Sequence, residues 1–241
     1  MQVDTPRGPA RVQLHHPSLS AGLLLVLGHG AGGGLRAPDL LAVRAAAVSA
    51  GAVVGLVEQP YRVAGRRAPA PAAQLDEAWT AVCADLTGRH PGLTLIAGGR
   101  SSGGRVACRT APATGAAAVL ALAFPLAPPS RRPHATPSSP TPGPSSIAGP
   151  IAAPAPAGPM VAPAPAGGAP RSRAGELVAA GVPVLVVNGD RDPFGVPADG
   201  GPVQVHVVAG ADHSLRRHTL EVAAVVAAWL TERRWERPSP P

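Results

Sequence analysis

The hydrophobic positions of this chain change period repeatedly, and that alternation predicts its architecture. Val12 to His16 alternates apolar and polar residues, as a half-buried strand does, whereas Leu23 to Leu27 is apolar throughout, as a strand covered on both faces is. A glycine-rich turn follows from Gly28 to Gly34. Pro38 suits the first turn of a helix, carried by Leu40, Leu41, Val43, Ala47 and Val48 and stopped at Gly51. Ala52 to Val57 predicts a strand, and Leu75, Ala78, Trp79, Val82 and Leu86 recur at helical spacing up to His90 and Pro91. Leu93 to Ala97 predicts a strand, Gly98 to Gly104 a tight turn into a short helix through Val106 and Ala107, and Ala117 to Ala123 a strand.

The periodicity then lapses. Residues 127–168 are almost entirely proline, alanine, serine and glycine, which bury too little to offset their ordering entropy, so a disordered insertion is expected there. Pattern resumes with a helix near Ala174 to Ala180 and strands at Val184 to Val187 and Val203 to Val208. A closing helix shows Val222, Val225, Val226, Trp229 and Leu230 on one face. Strands alternating with helices imply an α/β fold: a doubly wound, mostly parallel sheet flanked by helices, with ligands bound beyond the carboxyl ends of the strands. The 241 residues and 45% hydrophobic content suit one such domain over 1–241.

Composition narrows the function classes. The net charge of +7 comes from arginines scattered singly and in pairs, and aromatic residues make up only 2%, which leaves no stacking platform for nucleic-acid bases. No apolar run approaches the roughly 18 to 20 residues that span a bilayer, and Met1 to Arg11 lacks the apolar core of a signal peptide. A cytoplasmic protein without nucleic-acid or membrane partners is expected. Cys83 and Cys108 fall within helical patterns without metal-ligand spacing, so they read as buried thiols.

Candidate chemistry lies where strands end. Gly99-Arg100-Ser101-Ser102-Gly103 is a GxSxG turn between a predicted strand and a predicted helix, the context in which such a turn presents a nucleophilic serine. A serine hydroxyl needs a base within hydrogen-bond reach, and the base an orienting carboxylate. His213, just past the strand Val203 to Val208, and Asp192, just past Val184 to Val187, supply both in the chain order Ser, Asp, His. Asp190 is a close rival to Asp192, while Asp212 adjoins His213 and is expected to point elsewhere or to cap the last helix. His15, His16, His90, His134 and His218 occupy strand, turn, insertion or helix positions; His206 falls within a strand.

The turn Gly28 to Gly34 is expected to complete an oxyanion hole, with the backbone N–H groups of Ala31 and Ser102 as donors and His29 shaping the loop. Gly28, Gly30 and Gly33 also satisfy the GxGxxG of dinucleotide sites. Glu58, the candidate ribose acid, comes later than that motif expects, and a cofactor site leaves Ser101, Asp192 and His213 unexplained. The hydrolytic reading therefore ranks first, ahead of a nicotinamide or flavin enzyme.

Several stretches together resemble the α/β-hydrolase fold, and within it a dienelactone-hydrolase-like group of predicted hydrolases that includes a testis-expressed vertebrate protein and a non-specific-lethal complex subunit. They are GHGAGGG at Gly28 to Gly34, PYRVAGRRAP at Pro60 to Pro69, GGRSSGGRVA at Gly98 to Ala107, FPL at Phe124 to Leu126, VPVLVVNGDRDPFG at Val182 to Gly195 and GADHSL at Gly210 to Leu215. The resemblance implies a Ser101, Asp192, His213 site, a small ester, thioester or related acyl substrate, and no metal or organic cofactor. Dienelactone hydrolases proper use cysteine where this chain has Ser101. Tyr61, Arg66 and Arg100 lie in the matching stretches as candidates for the substrate pocket, Arg100 favouring an acidic substrate. A non-catalytic binding or scaffold protein on the same fold is the alternative, since fold does not fix function.

Overall fold

The computed structural model describes residues 1–18, 21–127, 172–232 and 235. Its strands are β1 (Gln2–Val3), β2 (Ala10–His15), β3 (Leu23–Gly28), β4 (Ala52–Glu58), β5 (Thr94–Arg100), β6 (Ala118–Leu122), β7 (Val184–Gly189) and β8 (Val203–Val208). Its helices are α1 (Pro38–Ser49), α2 (Pro60–Val63), α3 (Ala72–Arg89), α4 (Ser102–Thr114), α5 (Ala174–Val178) and α6 (Thr219–Glu232). The eight strands form one sheet in the order β1-β2-β4-β3-β5-β6-β7-β8. The pairings β1–β2 and β2–β4 are antiparallel; from β4 to β8 every pairing is parallel.

Strand periodicity and the two covered faces explain each other. Leu24 and Val26 of β3 point into one core with Trp79, Val82 and Leu86 of α3 and Val106 of α4. Leu25 and Leu27 point into the other, with Leu40 and Val43 of α1 and Val222, Val226 and Trp229 of α6. A strand burying alternate residues in opposite cores has no polar face to show, hence the unbroken apolar runs. At the antiparallel side, Ala10 and Val12 of β2 are buried while Arg11 is exposed and pairs with Glu58.

The structure departs from the sequence expectation in three places. β1 and α2 are too short to carry a period, and neither is anticipated. Strand β5 continues past Ala97 to Arg100, because Gly98 and Gly99 keep pairing with Leu27 and Gly28 of β3. Helix α4 is not short: it runs through Pro112 to Thr114, burying Val106, Ala107, Cys108, Thr110 and Ala111, and stops at left-handed Gly115. The predicted 127–168 insertion, beyond Ala127, lies outside the described residues.

Cys83 and Cys108 are buried free thiols, and burial pushes both pKa values up. Among the described residues no helix is long and apolar enough to cross a membrane, and no group of three or more His, Cys, Asp or Glu side chains is placed to hold a metal ion.

Candidate active site

Ser101 sits where β5 turns into α4, at φ 53° and ψ −112°, a conformation an L side chain adopts only when its surroundings force it. The forcing is visible. Its N–H donates to the Leu122 carbonyl at 2.8 Å, which pins the turn to the tip of β6. A Cβ on Gly103 would stand 2.5 Å from the Gly28 carbonyl oxygen, and one on Gly99 equally close to the same atom. The two glycines of GxSxG are thus required because this turn is pressed against the end of β3.

His213 lies in the loop after β8. Its Nε2 is 3.0 Å from Ser101 Oγ and its Nδ1 2.8 Å from Asp192 Oδ2. With the serine hydroxyl donating to Nε2, the ring proton sits on Nδ1 and is donated to the carboxylate. Asp192 is buried in the turn after β7, where its other oxygen accepts the Phe194 N–H at 2.9 Å. Its rivals lie elsewhere: Asp190 is exposed, and Asp212 accepts the N–H and hydroxyl of Ser214, capping its own turn rather than α6.

Three residues around this chain of contacts escaped the sequence reading. Asn188, fully buried at the end of β7, accepts the Phe124 N–H at 2.7 Å and donates to the Phe124 and Gly195 carbonyls and, at 3.4 Å, to Asp192. Phe194 packs its ring on the His213 imidazole, centroids 4.5 Å apart. Asp39, in the first turn of α1, has no exposed side-chain surface and pairs with Arg100, Nε to Oδ2, at 2.9 Å. Burial raises its pKa against the opposing pull of the guanidinium. An asparagine closing an apolar strand was the one readable signal; Asp39 resembles any acid in a first helical turn.

Among the described residues the other histidines are placed apart from the site, except one. His29 is buried in the glycine turn; it accepts the Gln59 N–H on Nε2 at 3.2 Å, so its Nδ1–H donates to the Gly30 carbonyl at 2.8 Å. Burial lowers its pKa, as it does for His15 and His90. His206 pairs with Glu221 at the surface, the rings of His16 and His90 approach one another, and His218 precedes α6. His134 lies outside the described residues.

The expected oxyanion donors lie on two segments in contact. Ser102 opens α4, where a first-turn N–H has no partner within the helix. Ala31 follows Gly30 in the loop, its carbonyl accepting the Tyr61 hydroxyl at 3.1 Å. Tyr61 and Arg66 line a cleft of about 80 Å³ together with Gln59, Gln74 and Leu75. A narrower recess touches Gly28, His29, Gln59, Tyr61 and Ser102. Arg100 lines neither: only 16% of its side chain is exposed, and besides Asp39 it donates NH2 to the His213 carbonyl at 2.9 Å. A dinucleotide does not suit the glycine turn, since Gly30 backs onto Arg100 and Ser101, and the buried Asp39 carboxylate occupies the helix start a pyrophosphate would need.

A family model described as an alpha/beta hydrolase domain matches residues 21–139, just under half of the chain. No curated protein matches it. Among solved structures, an alpha-beta serine hydrolase homologue from Coxiella burnetii is similar, with 14% identity, 95% of this chain and 96% of that one covered, and a TM-score of 0.67. Est1E from Butyrivibrio proteoclasticus, solved with ferulic acid, gives 16%, 96% and 98%, and 0.66. A dienelactone hydrolase from Anabaena variabilis gives 15%, 98% and 94%, and 0.62.

Proposed function

Proceeding from the α/β-hydrolase fold that this chain adopts, we propose that the protein is a serine hydrolase that cleaves an ester, thioester or related acyl bond of a small molecule. The observation carrying this reading is the unbroken series Ser101 Oγ, His213 Nε2, His213 Nδ1, Asp192 Oδ2, with contacts of 3.0 and 2.8 Å. Ser101 attacks the carbonyl carbon while His213 takes its proton, and Asp192 stabilises the imidazolium that forms. The N–H groups of Ala31 and Ser102 hold the oxyanion, each such donor contributing about 3 to 4 kcal/mol to lowering the barrier. His213 then protonates the leaving group. Water, deprotonated by the same imidazole, releases the acid from the acyl-serine.

Within that fold the sequence motifs favour the dienelactone-hydrolase-like group, with serine in place of cysteine. The cleft of Tyr61 and Arg66, which shares Gln59, Tyr61 and Leu75 with the recess that reaches Ser102, is the pocket this reading assigns to the substrate. The test is labelling of the purified protein with a fluorophosphonate and location of the adduct by peptide mass. Labelling at Ser101, abolished by Ser101→Ala and by His213→Ala, supports the proposal. A folded wild-type protein that does not label overturns it in favour of a binding protein.

A further inference from the structure

The Arg100 guanidinium joins the start of α1 to the histidine loop, beside the glycine turn. Arg100 is the last residue of β5 and immediately precedes Ser101, so its backbone leads straight into the nucleophile turn. Its Nε is paired with Asp39 at the start of α1, its NH2 donates to the carbonyl of His213, and its NH1 lies where a Cβ on Gly30 would be 3.0 Å away. One rigid, planar group at the foot of the nucleophile turn therefore links α1 to the histidine loop.

We propose that Arg100 is a positioning residue: held by Asp39, it fixes the backbone of His213 so that the imidazole meets Ser101. The inference rests on the hydrolase reading given above. The histidine loop needs such an anchor, since its neighbours Gly210 and Leu215 both take left-handed backbone conformations, at φ 73° and 52°. Asp192 holds the ring at Nδ1 and Phe194 packs on its face, but both act on the side chain. The bond from Arg100 to the His213 carbonyl fixes the backbone from which the ring projects.

The partner explains the choice of arginine. Asp39 is completely buried, and its second oxygen accepts the Leu40 N–H at 3.0 Å near the positive end of α1. A buried ion pair of this kind adds little to stability compared with an apolar pair of the same shape. Its contribution is placement: the buried carboxylate holds the guanidinium at the start of α1, from where it reaches the His213 carbonyl. Lysine, a single flexible ammonium, cannot satisfy Asp39 and the His213 carbonyl in that fixed geometry.

The experiment uses the full chain and the variants Arg100→Met, Arg100→Lys and Asp39→Asn. Turnover of 4-nitrophenyl acetate is expressed per active site titrated with fluorophosphonate, alongside melting temperature. A second readout is the downfield proton resonance of the His213 Nδ1–H, assigned by its loss in Asp192→Asn. The expected result is a fall in kcat of about ten- to a hundredfold for both Arg100 variants, KM within twofold of wild type, and a weakened or lost resonance. Asp39→Asn should fall in the same direction, and the double variant should be no worse than Arg100→Met alone. Unchanged kcat per site with the resonance intact overturns the proposal, as does a rise in KM alone, which would mean that Arg100 faces the substrate. If wild type neither labels nor turns over ester, the hydrolase reading fails by itself, and the resonance alone decides the role of Arg100. If Arg100→Met does not fold, Arg100→Lys and Asp39→Asn give the same reading.

Discussion

Phe194 lies over the His213 imidazole at a tilt of 59° while its own N–H bonds the carboxylate that holds that imidazole. One residue thus fixes Asp192 through its backbone and covers His213 with its side chain. Phe194→Ala removes the cover and keeps the backbone bond. An aromatic contact of this kind contributes about 0.5 to 1.5 kcal/mol, which predicts a roughly two- to tenfold fall in ester turnover per titrated site. Phe194→Leu, which restores apolar bulk, should recover part of it. Equal rates for Phe194→Ala and wild type would show that the ring packs on His213 without constraining it.

Asn188 joins two turns through a two-way pairing of its amide with the Phe124 backbone. Asn188→Ala leaves the buried Phe124 N–H without an acceptor, a loss of about 1 to 3 kcal/mol, and frees Asp192 from one of its donors. The expected outcome is a melting temperature several degrees lower together with slower fluorophosphonate labelling at a temperature where the variant is fully folded. A lower melting temperature with an unaltered labelling rate would confine Asn188 to stability.

The residues that carry the candidate chemistry were readable because the strand-turn-helix context and the chain order of Ser101, Asp192 and His213 are local or sequential signals. So were the parallel sheet and its two cores, since continuous apolar strands leave few other arrangements. What supports the site was not readable. Asp39 and Asn188 act through contacts with Arg100 and Phe124, far away in the chain, and Phe194 by packing on a histidine of another loop, where residue type alone suggests only a surface or a core. Arg100 shows the same limit: its position beside Ser101 was legible, but the direction of its side chain was decided by a carboxylate on α1.

His29 should make the fold sensitive to acid. Burial lowers its pKa, outweighing the Gly30 carbonyl and Glu58, which favour the charged form. The unfolded chain, with an imidazole near 6.5, takes up the proton first. Stability from this residue is therefore complete above about pH 6.5 and is lost progressively as pH falls toward the lower folded value. Protonation would also remove the acceptor for the Gln59 N–H and loosen the glycine loop. Melting temperature followed from pH 7.5 to 5 should decline less steeply in His29→Asn than in wild type, with His15 and His90 contributing the slope that remains. Parallel curves for the two proteins would remove His29 from the account.

The neck of the 127–168 region is closed by the residues on either side of it. The Arg173 N–H donates to the Leu126 carbonyl at 2.8 Å, and its guanidinium donates to the carbonyls of Pro125 and Ala127, both at 3.2 Å. The Ala127 N–H in turn donates to the Phe194 carbonyl at 2.9 Å, so the neck is tied to the residue that covers His213. Because these bonds involve only residues 125–127, 173 and 194, replacing 128–171 by a short glycine-serine linker should leave them intact. The expected result is an unchanged circular dichroism spectrum, a melting temperature within a few degrees of wild type, and turnover per titrated site within about twofold. Arg173→Ala, which opens the neck and keeps the whole segment, should be the more damaging change. A shortened chain that folds normally but turns over ester far more slowly, or with a much higher KM, would overturn this prediction.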